Sequence, residues 1–203
     1  MEVFIIKGRI LDEKKINIRV ATLDDAQDLL NIYSYYVEHS SLTFEYEVPT
    51  LEEFKGRISK TLEFYPYLVA ELDGEIIGYA YAGRFHPRAA YAWDAEMSIY
   101  LKKDVRGRGI GRSLYLLLEN ILKEQHIIKT IAHITLPVDE YSDFNSMQFH
   151  EHMGYHLAGR IDYLGYKFGR WYTGTYMDKL IGTPLDNMPE VCSFNEVRDK
   201  FGL

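Results

Sequence analysis

Apolar side chains recur along this chain with two periods, and the switches between them outline its elements. Residues 16–22, INIRVAT, alternate apolar and polar at period two and predict a first strand. Thr22, Asp24 and Asp25 then supply a cap and N-terminal acids, and Ala26, Leu29, Leu30, Ile32, Tyr33 and Val37 return at helical spacing. Thr50 caps a second helical stripe through Leu51, Phe54, Ile58 and Leu62. Residues 67–72 and 75–82 read as strands joined by Asp73-Gly74, a dipeptide suited to the two-residue turn of a hairpin. A strand over 95–101 precedes a glycine-rich stretch, after which 112–123 place Leu114, Leu117, Leu118, Ile121 and Leu122 on one helix face. The β-branched run 127–136 predicts a buried strand that Pro137 ends. A short helix over 145–153 stops at Gly154, and two strands follow over 155–163 and 171–180.

The order βααβββαβαββ, antiparallel in its first half and with a crossover helix in its second, predicts an α+β fold. Its centre is a mixed, mostly antiparallel sheet flanked by helices. Residues 16–182 form the expected domain, with 1–15 an N-terminal extension and 183–203 a tail that has Pro184, Pro189 and no apolar stripe.

Composition narrows the class. At 203 residues, 47% apolar and 26% charged, the chain suits one soluble globular core. No apolar run approaches the ~20 residues that span a bilayer, so no membrane partner is expected. With charges resuming after a four-residue apolar patch, no signal peptide is expected. The formal charge of −7 argues against nucleic acid as partner and confines any anion site to a local patch. Cys192, the single cysteine, has no partner for an internal disulfide and fits a reducing, cytoplasmic setting. Among seven histidines, His150 and His152 lie on different helix faces and Gly154 separates His152 from His156, so no metal is expected.

Such a patch stands at residues 102–112, KKDVRGRGIGR. Lys102, Lys103, Arg106, Arg108 and Arg112 oppose only Asp104, and Gly107, Gly109 and Gly111 free the backbone to converge on a phosphate at a helix start. Two familiar phosphate loops fail here. A nucleotide-triphosphate loop needs Gly-Lys-Ser/Thr where Gly111-Arg112-Ser113 stands, and in the dinucleotide fingerprint the third glycine comes one position later.

R-G-x-G-I-G after an antiparallel strand resembles the GNAT superfamily of acetyl-CoA-dependent N-acetyltransferases. The segments YPYLVAELDGEIIGYAYAG, RAAYAWDAEMSIYL, HEHMGY and GYKFGRW are similar to its branch of phosphinothricin and methionine sulfone or sulfoximine acetyltransferases. The resemblance spans about residues 16–180 and implies the GNAT fold, acetyl-CoA as co-substrate, a small amine as acceptor and a homodimer. It implies that backbone groups of Ile99, Tyr100 and Leu101 bind the pantetheine arm and that Arg106, Gly107, Arg108, Gly109, Ile110, Gly111 and Arg112 cradle the pyrophosphate. The family's N-x-x-S pattern maps onto Asp143 and Ser146. An ionised Asp143 can only accept hydrogen bonds, which leaves Asn145 as the alternative donor. The stretch 138–142 looks inserted relative to the family.

By the same resemblance Glu96 would be the general base, directly or through water. An attacking amine needs one, because an α-amino group is mostly protonated at neutral pH. A backbone N–H such as that of Ile99 would stabilise charge on the thioester carbonyl. With Cys192 far away in the tail, direct transfer in a ternary complex is expected. Acceptor recognition falls to Phe44, Phe85, His86, Pro87, Arg88 and Tyr91, with the backbone of Met97 and Ser98 or the Arg88 guanidinium for a carboxylate. Trp93 fits either the acceptor wall or core packing. Phe168 stands where some members carry a histidine. Two other readings remain open: acetylation of a polyamine, peptide N-terminus or aminoglycoside, and a non-catalytic acyl-CoA sensor.

Overall fold

The computed structural model describes residues 16–105, 108–136, 139–141 and 145–203. The expected N-terminal extension lies outside them. Seven strands form one sheet in the order β1 (Ile16–Val20), β2 (Tyr67–Leu72), β3 (Glu75–Arg84), β4 (Asp94–Leu101), β5 (Lys129–Thr135), β7 (Arg170–Leu180), β6 (His156–Lys167). Every neighbouring pair is antiparallel except β4 with β5, as the mixed pattern predicts.

Side-chain alternation sends two sets of residues to the two faces. Leu68, Ala70, Ala80, Ala95 and Met97 pack with Leu114, Leu118 and Ile121 of α3 (Ile110–Glu124), and α4 (Asn145–His152) joins them through Met147 and Phe149. On the opposite face Tyr67, Val69 and Tyr79 meet α1 (Ala26–His39) and α2 (Leu51–Leu62) through Leu29, Tyr33, Phe54 and Ile58.

Local chemistry sets the punctuation. Asp73 and Gly74 adopt φ of 53° and 83°, the left-handed pair that closes the β2–β3 hairpin. Thr50 and Glu53 form a reciprocal capping box at α2, the Glu53 carboxylate accepting from Thr50 N at 2.7 Å. The expected strand 155–163 runs on to Lys167, where Phe168 and Gly169 turn with φ of 50° and 76°. Register irregularities at Leu157/Gly159 and Ile161/Gly165 break the period-two pattern there, which hid the strand's length.

The tail differs most from expectation. Phe194 is fully buried and Val197 nearly so, both on the short α5 (Phe194–Val197), and they complete the core beneath α3. Gln125 donates to the carbonyls of Phe64 and Cys192 at 2.9 Å each, and the Trp93 indole donates to the Pro189 carbonyl at 2.8 Å. These residues are therefore packed structure and not a loose appendage. Two apolar side chains on a four-residue helix are too few to register as a stripe.

Candidate active site

The parallel pairing of β4 with β5 runs from Asp94 opposite Lys129 to Glu96 opposite Ile131 and stops. Beyond that point β4 stays paired with β3 as far as Leu101, and β5 with β7 as far as Thr135, so the two strands part at Glu96. Each arm is held from outside the gap. The Tyr36 hydroxyl donates to the Leu101 carbonyl at 2.6 Å, and Thr135 Oγ1 donates to the Ser41 carbonyl at 2.8 Å. A cavity of about 70 Å³ fills the opening, lined by Glu96, Ser98 and Leu42 from one face of the sheet and by Tyr115, Ser146 and His150 from the other. It is a slot through the sheet.

Backbone alternation decides which main-chain groups see the slot. The Trp93 carbonyl accepts from Ile128 N and Lys129 N on the β5 side, and Lys102 N donates to the Ile77 carbonyl on the β3 side. Counting residues between these two anchors turns Ile99 N–H and C=O into the gap, with no strand opposite. Met97 sits at the apex, its buried side chain taking the Tyr155 hydroxyl at sulfur. The same count turns the backbone of Ser98 and Tyr100 toward β3, away from the slot. Tyr100 instead packs its ring against Tyr33, Tyr36 and Tyr79.

Glu96 is half-buried and has no ion-pair or hydrogen-bond partner among the described residues. Burial pushes its carboxyl above the ordinary carboxylate value. On the far side of the slot the Ser146 carbonyl meets His150 Nδ1 at 2.7 Å, and His150 Nε2 meets the Tyr115 hydroxyl at 2.9 Å. A carbonyl can only accept, so Nδ1 carries the imidazole proton. Burial lowers the His150 pKa to about 4, so the ring is neutral and Nε2 accepts from Tyr115. The Tyr115 proton is thereby committed, and burial keeps its phenol from ionising.

At the mouth of the slot α3 begins. Its N-cap is Gly109, at φ 78° and with no side-chain cap, and the first helical bond is Ser113 N to the Gly109 carbonyl at 3.0 Å. The N–H groups of Ile110, Gly111 and Arg112 therefore lack intrahelical partners at the positive end of the helix dipole. A Cβ on Gly111 would stand 3.3 Å from Ile99 Cδ1 and from the Phe149 ring, a tight approach that bare backbone avoids beside the slot. Arg108 and Arg112 are exposed on either side, while Ile110 is buried. Arg106, Gly107 and Asp143 lie outside the described residues, and Asn145 opens α4.

The acceptor candidates gather on the α1/α2 face as a chain of rings. Phe85 meets Tyr91 and Tyr176, Tyr176 lies 5.0 Å from His133, and His133 lies 6.3 Å from Phe44. The His86 ring meets Tyr91 at 4.6 Å, tilted by 44°, and the Pro87 carbonyl accepts from Arg84 at 3.3 Å. Arg88 is exposed and has no ion pair among the described residues. Trp93 belongs to the tail contact.

Several site residues escaped the sequence pattern. His133 lines the slot with its Nε2 buried and unpartnered, and burial lowers its pKa. Lys167, almost fully buried, donates to the carbonyls of Ser40 and Thr43 at 2.8 Å each and so fixes the loop that carries Leu42 and Phe44. The stretch expected as inserted reaches the same loop, where the Tyr141 carbonyl accepts from Ser41 N at 2.9 Å and its ring stacks on Phe168 at 4.2 Å. Only a polar residue inside an apolar run marked His133, and nothing marked Lys167, whose partners are 124 and 127 residues away. Cys192 is half-buried against the end of α3, its thiol pKa raised by burial. Among the described residues no group of three His, Cys, Asp or Glu side chains is placed for a metal ion, and no helix is long and apolar enough to cross a membrane.

Residues 18–175 match the family described as "Acetyltransferase (GNAT) domain". The chain is 34% identical over 174 residues to the phosphinothricin N-acetyltransferase of Alcaligenes faecalis, covering 85% of this chain and 86% of that one. It is 33% identical over 161 residues to the enzyme of the same name from Streptomyces viridochromogenes, covering 79% and 85%. Among solved structures, a GNAT superfamily phosphinothricin acetyltransferase from Sinorhizobium meliloti in complex with AcCoA superposes with a TM-score of 0.78 at 30% identity, over 88% of this chain and 98% of that one.

Proposed function

The chain belongs to the GNAT acetyltransferase family and is an acetyl-CoA-dependent N-acetyltransferase, and from that premise we propose that Glu96 is its base and a small amino-acid-like amine its acceptor. Acceptors of the phosphinothricin and methionine sulfone or sulfoximine type fit this reading, in line with the names its relatives carry. One observation carries it: β4 and β5 separate at a half-buried, unpartnered Glu96.

The residues present suit acetyl-CoA. Ile99 offers an open backbone edge to an amide-bearing arm, Gly111 leaves room beside it, and α3 presents unpaired N–H groups to a diphosphate. When bound, acetyl-CoA supplies the thioester carbonyl that a free amine attacks. Glu96 takes the ammonium proton, directly or through one water, and its burial makes it a stronger base than an exposed carboxylate. The Ile99 N–H is the donor aimed at the slot where carbonyl charge develops. Phe44, Phe85, His86, Pro87, Arg88 and Tyr91 rim the acceptor side, with Arg88 a free cation for a carboxylate. Cys192, half-buried in the tail, supports direct transfer.

Two copies of the chain pair, in this reading, through the β6–β7 hairpin at the sheet edge, where Ile161, Tyr163, Tyr166 and Trp171 are exposed. Calorimetric titration tests the cofactor site: saturable acetyl-CoA binding is expected, weakened at least tenfold by Gly111→Val. Absent binding would overturn the assignment, and thiol release with a panel of amines and amino acids reads the acceptor.

A further inference from the structure

A second cavity, of about 270 Å³, lies beside the slot on the α1/α2 face. Tyr67, Tyr79 and Tyr81 line it from the sheet, Phe54 and Thr61 from α2. The three tyrosine rings stack on one another, Tyr67 on Tyr81 at 4.8 Å and 13° and on Tyr79 at 5.6 Å and 19°. Tyr33, on the α1 side, has its hydroxyl on Thr43 Oγ1 at 2.8 Å. What the cavity offers a visitor is ring carbon. Dry apolar cavities of roughly 150 Å³ already admit a benzene ring, so the space suffices for an aryl group meeting tyrosine edges.

The rim is cationic. Arg57 is held by Glu45 at 2.7 Å, and Lys60 has no ion-pair partner among the described residues, which leaves one positive charge uncompensated. This rim adjoins the reacting end of the slot. Tyr81 stands opposite Ser98, two residues from Glu96 on the same face of β4, and the charges of Glu96, Arg57 and Glu45 all act on its phenol. The cavity spans β3 and β2, one and two strand spacings of about 4.8 Å from β4, which is the reach of an amino-acid side chain.

We propose that this cavity seats the acceptor's side chain and selects, among amino acids, those bearing an aromatic ring, with their amine at Glu96 and their carboxylate at Arg57 and Lys60 in place of Arg88. The proposal rests on the amino-acid acceptor and the Glu96 base read above and revises the carboxylate's partner.

Acetyl transfer read by thiol release should give L-phenylalanine a kcat/KM about 10- to 100-fold above that of L-alanine, the range expected for burying a phenyl group. Thr61→Phe, which fills the cavity, should lower the ratio of kcat/KM for L-phenylalanine to that for L-methionine sulfone at least tenfold. Equal or better use of L-alanine by the unmodified enzyme overturns the proposal, as does an unmoved ratio in Thr61→Phe protein that still binds acetyl-CoA. If Thr61→Phe does not fold, the ratio in the unmodified enzyme decides. Turnover of no amino acid, with calorimetric binding of L-phenylalanine that Thr61→Phe abolishes, would sink the acceptor reading and keep the cavity assignment. Neither turnover nor binding would sink both.

Discussion

Replacing Glu96 by Gln removes a proton acceptor and little else. The two side chains have the same shape, and the carboxylate forms no hydrogen bond or ion pair among the described residues that the amide would lose. A positioned general base contributes roughly 10²- to 10⁴-fold, or about 2.7 to 5.4 kcal/mol of transition-state stabilisation, and Glu96→Gln should lower kcat/KM by that factor. Acetyl-CoA affinity should stay within about twofold, because the groups assigned to the cofactor, Ile99 and the start of α3, act through the main chain. Stability supplies a second, independent sign. The folded pKa of Glu96 lies above its ordinary value, so between the two the native state binds more protons than the unfolded chain. Stability then falls as pH rises through that window, and the burial cost is fully present above it. Glutamine has no such cost, so at pH 7.5 the variant should be at least as stable as the parent by urea unfolding. The pH profile completes the test, since the acid limb of kcat/KM, set by Glu96 above the usual carboxylate range, should vanish in the variant. A variant within a fewfold of parental turnover, or one that unfolds more readily at pH 7.5, would refute the role.

Phe194→Ala should cost about 3–5 kcal/mol as a buried ring is lost, read as a drop in Tm of roughly 10 °C; a change under 2 °C would show that the tail is not part of the core. Lys167→Met should raise the acceptor KM with little change in acetyl-CoA affinity, because Ser40 and Thr43 lose the ammonium that fixes their loop. Burial lowers the Lys167 pKa from 10.5 to about 8, so over that window the unfolded chain binds more protons and the parent should gain stability relative to this variant as pH rises. Urea unfolding of both proteins at pH 7 and pH 10 checks the sign. Tyr163→Asp with Trp171→Asp should shift sedimentation from dimer to monomer, and an unchanged profile would remove the hairpin face as the subunit contact.

Period and punctuation carried most of the architecture. The Asp73-Gly74 turn, the Thr50 capping box and the stripe of α3 are set by neighbours two to seven residues apart, and each appears where the pattern put it. The elements that carry the candidate site were legible too, since Glu96 lies on β4 and Gly109 caps α3 in one strand-to-helix segment.

What the amino-acid order alone determined was the local chemistry: strands from alternation, helices from stripes and caps, and a basic glycine loop in an acidic chain. What tertiary structure decided was everything that depends on partners distant in sequence. Which face of β4 sees the slot follows from where β5 leaves it, and that divergence needs Tyr36 and Thr135 to hold the two arms from elements far along the chain. His133 becomes a slot residue only because Tyr176 and Phe44 are brought against it, Lys167 is held by two carbonyls distant in sequence, and Phe194 is core only because the tail folds back under α3. Propensity is written residue by residue, whereas burial is a property of the assembled chain, and it is burial that raises the Glu96 carboxyl above its ordinary value.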